Sequence, residues 1–298
     1  MDASIDTLRD AVKVTAKSLG IDLIGITDLT RLAGAPKRFH ATDYLPTAKS
    51  VIVLGTHFPD GIVDNWDKTP SGYQYYGYSI PNKELGHACY KIAKLVESGG
   101  YRCFPIVPTG HSKDMDSTKQ MGEFSHRHAA VAAGLGELGY NRLLITPQFG
   151  NRVRLCSIIT EAPFSPDPMY DGPLLCDKCK KCIRACPGKC LDESKMLSCT
   201  VGDKTYNYVT LYHFRCFYNL LGIGPNTGGH INIPLPNKNG ELGQLAFLSR
   251  YIKAYLLRFR MFQYMSRQQN AVDWYDYCGR CLHVCDRPVN RFKKDQER

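Results

Sequence analysis

Seven of the thirteen cysteines in this 298-residue chain fall into two short runs, and their spacing constrains the fold more than any other feature. The first run is Cys176-x2-Cys179-x2-Cys182-x3-Cys186-Pro187 and the second is Cys278-x2-Cys281-x3-Cys285. In the bacterial two-cluster arrangement, three cysteines of a run hold one [4Fe–4S] cluster and the fourth, before proline, crosses to the other. A tight C-x2-C-x2-C loop wraps one face of a cubane. The residue three further on sits on the following helical turn and faces away. The second run is shorter, so another thiolate must come from elsewhere. The pattern points to a chain that moves electrons.

The length allows one large domain or two modest ones around a real core. Thirteen cysteines would suit a disulfide scaffold only in an oxidising compartment. Met1-Asp2-Ala3-Ser4 shows neither a basic n-region nor an apolar h-region, and no twin-arginine leader is visible. The expectation is therefore a cytoplasmic protein whose clustered cysteines are metal ligands. Oxygen-sensitive clusters suggest an anaerobic or facultative setting. No apolar run approaches the membrane-spanning length of about 20 residues.

The formal charge of +10 is uneven: residues 1–168 carry a net +1 and residues 169–298 a net +9. Lys178, Lys180, Lys181 and Arg184 are interleaved with the first cysteine run, where they would neutralise anionic clusters. A sharper reading is a docking face for an acidic electron donor, a ferredoxin or flavodoxin. Nucleic-acid binding ranks third, because charge alone does not establish it.

Periodicity divides the chain at about residue 165. Residues 5–19, 84–98 and 125–138 read as helices. Leu23–Ile26, Val51–Leu54, Tyr101–Val107, Leu143–Ile145 and Val153–Ile159 read as strands. This is an α+β or α/β arrangement of helices on a sheet, assigned to residues 1–165. Four prolines between Pro163 and Pro173 mark a linker. Residues 166–298 then carry the cysteine runs, with an insertion at about 222–272: a Gly/Pro/Asn-rich loop (222–240) and an amphipathic helix (241–267).

Phe124–Thr160 resembles the segment that precedes the clusters in epoxyqueuosine reductases and reductive dehalogenases, which are cobalamin-dependent iron–sulfur enzymes. The shared elements are Arg127, Ala133-Gly134-Leu135-Gly136, Gly139 with Asn141, Leu144-Ile145-Thr146-Pro147 and Gly150. The likeness extends weakly back to residue 50 and forward through Cys285. It implies a nitroreductase-like domain carrying a corrinoid, followed by a ferredoxin-like domain with two [4Fe–4S] clusters. It also implies that Cys176, Cys179, Cys182 and Cys285 hold one cluster, and Cys186, Cys278 and Cys281 the other. The eighth ligand would come from Cys216, Cys199 or Cys190, in that order, because Arg215-Cys216-Phe217-Tyr218 best matches the family context. Arg127, Gly134, Gly136 and Asn141 would lie at the cofactor. Cys89, Cys103 and Cys156 sit in apolar patterns as small buried hydrophobes.

The chain departs from the epoxyqueuosine reductases at the position of their acid, which is Gln120 here, and at their turn lysine, which is Tyr140. The proline expected after Cys285 is Asp286, and no tRNA-gripping helical-repeat extension is expected. These differences point to another small-molecule substrate. A proton donor is sought among Tyr73, Tyr75, Tyr76 and Tyr78 and among His111, Asp114, Asp116, Glu123 and His126. Tyr76, His126 and Asp116 are the nominal choices. The expected activity is electron transfer through two clusters to a cobalamin that reduces a small organic molecule. The alternatives are an electron-transfer protein without corrinoid and a tRNA-modifying reductase.

Overall fold

Strand β2 is buried at every position but its last, with an unbroken apolar run from Val51 to Leu54, as suits a strand covered on both faces. The computed structural model describes residues 4–35, 40–66, 68, 70–109, 122–220 and 278–285. In chain order the elements are α1 (Ile5–Ser18), β1 (Leu23–Asp28), α2 (Ala41–Tyr44), β2 (Ser50–His57), α3 (Asp60–Asp64) and α4 (Pro70–Gln74). A π-helical turn (Tyr75–Ser79) then runs into α5 (Ile80–Ser98), followed by β3 (Cys103–Ile106) and α6 (His126–Ala132). Next come β4 (Glu137–Leu138), β5 (Leu144–Ile145), β6 (Val153–Thr160), α7 (Lys181–Arg184), β7 (Leu191–Val201) and β8 (Lys204–Leu211). Helices α8 (His213–Leu220) and α9 (Arg280–His283) complete the described set.

The main sheet has the order β1-β2-β6-β3, and each neighbouring pair is antiparallel. Of the two fold classes left open by the pattern, the antiparallel pairing selects α+β. Side chains alternate across a strand, so β2 feeds two core layers. Ile52 and Leu54 pack with Leu8, Val12, Leu85 and Ile92 of α1 and α5. Val51 and Val53 pack on the opposite face with Ala129–Ala132 of α6 and with Val201 and Tyr208 of the β7–β8 hairpin. The hairpin thus shares a core with the first half of the chain, across the proposed boundary at residue 165.

The proline-rich stretch is extended and pinned. Asp167 accepts from the Ile26 amide at 2.9 Å and from Lys13 Nζ at 2.6 Å, and it pairs with Arg9. Arg31 Nη1 donates to the carbonyls of Ala132 at 2.8 Å and Asp167 at 2.6 Å. Phe164 is buried in the α1–α5 layer.

Two features differ from the periodicity. Helix α6 stops at Ala132, six residues before the expected end. Gly134, at φ +78, closes it: its amide donates to Val131 and the Leu135 amide to Ala130, the reversal of a Schellman end. The β7–β8 hairpin was not anticipated, although Gly202-Asp203 between β-prone flanks is its sequence signal.

The last described segment docks on the first half. The Arg280 guanidinium lies 4.6 Å from the Trp66 ring centroid, and His283 Nδ1 lies 2.7 Å from the Val63 carbonyl oxygen. Among the described residues, no helix is long and apolar enough to cross a membrane. The expected loop and helix within 222–272 lie outside the described residues, as do His111, Asp114, Asp116, Gln120 and Asp286.

Candidate metal centre

The first cysteine run lies in a loop ahead of α7. Lys178 (φ 56) and Lys180 (φ 61) both take the left-handed conformation, which costs an L-residue about 1–2 kcal/mol. The loop curls tightly, and the Cys179 amide donates to Asp177 Oδ1 at 3.1 Å. Cys176, Cys179, Cys182 and the distant Cys285 line one cavity with Tyr140 and Asn141. The Tyr140 amide donates to Cys176 Sγ at 3.3 Å. Burial pushes the Cys182 thiol up to about 11, and the nearby thiols of Cys285, Cys176 and Cys179 add to that rise.

Cys186 points away from that cavity toward a second group. Burial raises the Cys281 thiol strongly, with further contributions from Cys278, Cys216 and Cys186 and then from Cys182 of the first cavity. Cys278 is raised to about 12, by burial and then by Cys216 and Cys186. Cys186 is drawn down to about 6 by the Cys190 thiol and by backbone amides, of which that of Cys190 donates to its Sγ at 3.2 Å. Helices α7 and α9 pack together and so hold the two groups side by side. Among the described residues, no three His, Cys, Asp or Glu side chains form a group that could hold a single metal ion.

The three candidates for the eighth thiol separate. Cys216, on α8, stands in the second group. Cys199 lies on β7 opposite Tyr206, beside Arg142 and the Tyr208 hydroxyl, and no other thiol acts on it. Cys190 is buried against both Cys186 and Cys216, with Asn219 Nδ2 at 3.7 Å from its sulfur. Cys190, the third of the three candidates, thus stands closer to the second group than Cys199, the second. Cys89 and Cys156 are buried in the sheet core with their sulfurs 3.1 Å apart, and Cys103 is half-buried at its rim.

Among the described residues, those expected at a large flat cofactor meet the chain's own backbone or the first thiol cavity. A Cβ on Gly134 would lie 2.0 Å from the Pro168 carbonyl oxygen, and one on Gly136 would lie 2.1 Å from that of Ile145. The close approach these glycines permit is to the chain's own backbone. Asn141 accepts from the Leu143 amide at 3.1 Å and faces the first thiol cavity. Arg127 donates to the Arg142 carbonyl at 2.7 Å. Burial and Arg142 pull its guanidinium down to about 10, with Tyr208 and Cys216 acting the other way.

The nominal acids fare similarly. Tyr76 is exposed, its ring edge-on to Tyr75 at 4.9 Å. His126 is held at both nitrogens: Nε2 lies 3.0 Å from the Val107 carbonyl and Nδ1 lies 2.8 Å from Ser157 Oγ. With the carbonyl accepting from Nε2–H, Ser157 donates to Nδ1 and the ring is neutral. Burial lowers the pKa values of His126, His128 and His213 to about 4. The unfolded chain takes up these protons near pH 6.5, and the folded chain only near pH 4. Stability from these rings is therefore present above pH 6.5 and is lost as the pH falls toward 4. Thermal unfolding of the metal-free protein should show a midpoint that drops through that window, less steeply in His126→Gln. A flat profile would contradict the burial of neutral imidazoles.

No model of a known protein family matches the chain. The epoxyqueuosine reductase of Listeria monocytogenes is 46% identical over 84 residues, 28% of this chain and 21% of that protein. The tetrachloroethene reductive dehalogenase of Sulfurospirillum multivorans is 36% identical over 107 residues, 35% of this chain and 21% of that protein. The epoxyqueuosine reductase of Bacillus subtilis is 28% identical over 207 residues, 60% and 50% of the two chains. This chain is similar in sequence to members of both families. The matches span between 21% and 50% of these relatives' own length. A solved epoxyqueuosine reductase from Bacillus subtilis shares the fold at a TM-score of 0.54 and 21% identity, over 97% of this chain and 67% of that one. A reductive dehalogenase, described as suggesting a mechanism for B12-dependent dehalogenation, does so at 0.54 and 19%, over 89% and 37%.

Proposed function

We propose that this chain is an iron–sulfur reductase. Cys176, Cys179, Cys182 and Cys285 would hold one [4Fe–4S] cluster and Cys186, Cys216, Cys278 and Cys281 a second. The observation that carries the proposal is the convergence of thiols remote in sequence: Cys285 lines one cavity with Cys176, Cys179 and Cys182, and Cys186, Cys216, Cys278 and Cys281 lie within one another's electrostatic reach beside it. The donor set fits such a group: all sulfur, four of them around one cavity, with amides donating to Cys176 and Cys186. Bound clusters supply one-electron carriage at a potential set by hydrogen bonds to sulfur, charge and burial.

The protein's own contribution follows from its residues. The Tyr140 amide donates to Cys176 Sγ, and the Cys190 amide stabilises the Cys186 thiolate, which biases that sulfur toward ligation. Arg127 places positive charge near Cys216, and Arg142 places it near Cys199 on the hairpin. The substrate would be a small organic molecule that accepts electrons.

Cobalamin enters through the relatives, one of which is described as B12-dependent. Arg127, Gly134, Gly136 and Asn141 do not form a cradle for a corrinoid, so no step is routed through one. Their internal packing favours a second reading, an electron-transfer protein without corrinoid. Anaerobic reconstitution separates the two. The purified chain should be brown and hold about eight irons. Added cobalamin that co-elutes with a base-off spectrum selects the corrinoid reductase, and its failure to bind selects the second reading. Colourless protein with little iron would end both. Salt-dependent tRNA binding at low ionic strength would favour a tRNA-modifying reductase instead.

A further inference from the structure

We infer that the loop around Cys179 is the face on which a small acidic electron-carrier protein docks, and that Lys178 and Lys180 hold their strained backbone for that contact. The inference rests on the iron–sulfur reading and adds where the electron arrives. Lys178, Lys180 and Lys189 are three of the four described non-glycine residues at positive φ; Lys178 and Lys180 flank Cys179, and Lys189 precedes Cys190. Glycine takes that conformation without strain. A lysine kept there instead argues that its side chain is used, because retained backbone strain concentrates at functional positions.

The surroundings fit a docking face. Cys179 is the exposed thiol of its cavity, whereas Cys176, Cys182 and Cys285 are half-buried. Lys178, Lys180 and Lys181 line that same cavity and are exposed, and Arg184 lies in the field of Lys180. Leu174, 70% exposed at the start of the loop, adds an apolar contact beside the charges. Lys180 also pairs with Glu193 at 2.8 Å, an exposed bridge that a partner's carboxylate could replace. A positive rim around an exposed redox sulfur steers an acidic carrier so that its own centre arrives close. One electron passes from the reduced carrier to the cluster held by Cys179, and no bond is made or broken.

Lysines beside an anionic cluster would also neutralise it, and the experiment separates the two roles. K178G/K180G removes both charges while giving each position the residue its backbone prefers, so the fold is kept. K17Q/K91Q removes the same charge on α1 and α5, far from the loop in sequence. Each iron-loaded protein is mixed anaerobically with a reduced small acidic ferredoxin and, separately, with reduced methyl viologen, and cluster bleaching is followed. The ferredoxin rate constant should fall roughly tenfold in K178G/K180G, with a flatter salt dependence, and stay unchanged in K17Q/K91Q. Losing two charges beside the cluster should lower its potential and slow reduction by viologen somewhat, so the ferredoxin rate should fall several-fold more than the viologen rate. An unchanged ferredoxin rate overturns the inference. So does a fall no larger than that of the viologen rate, which would assign the lysines to charge neutralisation. Protein that takes up no iron sinks the cluster reading itself, and the docking face with it.

Discussion

Cys216→Ala should lower the iron content of anaerobically reconstituted protein to about half and remove one electron paramagnetic resonance signal, leaving the other intact. The expectation follows from where α8 puts this thiol. Cys216 acts on both Cys278 and Cys281, the two thiols of the second group contributed by the segment around α9. Removing it leaves three ligands around a cluster that needs four. Cys199→Ala should leave the iron untouched, because that thiol lies on the hairpin beside Tyr208 and Arg142. Cys190→Ala tests the harder distinction. Its sulfur is buried behind Cys186 and Cys216, so its loss should change the environment of the second cluster without halving the iron. Iron that falls in Cys190→Ala and persists in Cys216→Ala would reverse the assignment.

The second large effect concerns stability. Gly134→Ala should destabilise the metal-free protein by about 3 kcal/mol or more, because it combines a strained φ of +78 with a Cβ 2.0 Å from a carbonyl oxygen. The oxygen belongs to Pro168, in the stretch that Asp167 ties to α1 and β1. Neither backbone can yield alone: moving Pro168 strains the Asp167 anchor, and moving Gly134 undoes the end of α6. A chain of this size should lose about 5 °C or more in midpoint. Gly86→Ala is the matched control. A Cβ there meets nothing within 4 Å in the interior of α5, so that change should add about 1 kcal/mol. An unchanged midpoint in Gly134→Ala, accompanied by lost cobalamin binding, would return this glycine to a cofactor.

Much of the first half was legible because its signals are local. Strands β1, β2, β3 and β6 stand where short apolar runs place them, and α1 ends where Gly20 stops it. α6 was misjudged at its end because its alanines extend a helical pattern that Gly134 reverses. Helix propensity does not register how close Pro168 comes. β7 escaped notice because Leu191–Val201 is exposed over most of its length and interrupted by a bulge between Asp192 and Met196, which blurs the two-residue period. His126 looked like an acid from its neighbourhood in the chain. In the fold it bridges Val107 and Ser157, contacts 19 and 31 residues away in sequence.

By itself, the order of residues determined which thiols belong to runs, that Cys186 turns from its neighbours, and that the basic surplus lies among the cysteines. These properties depend on a few adjacent residues. Tertiary structure decided the partnerships: Cys285 beside Cys176, Cys179 and Cys182, and Cys216 rather than Cys199 beside Cys278 and Cys281. Those choices follow from α9 settling on Trp66 and Val63, and from the hairpin burying Tyr208 on the sheet. Burial of apolar surface between distant segments drives both, and it leaves no period in the chain to be read.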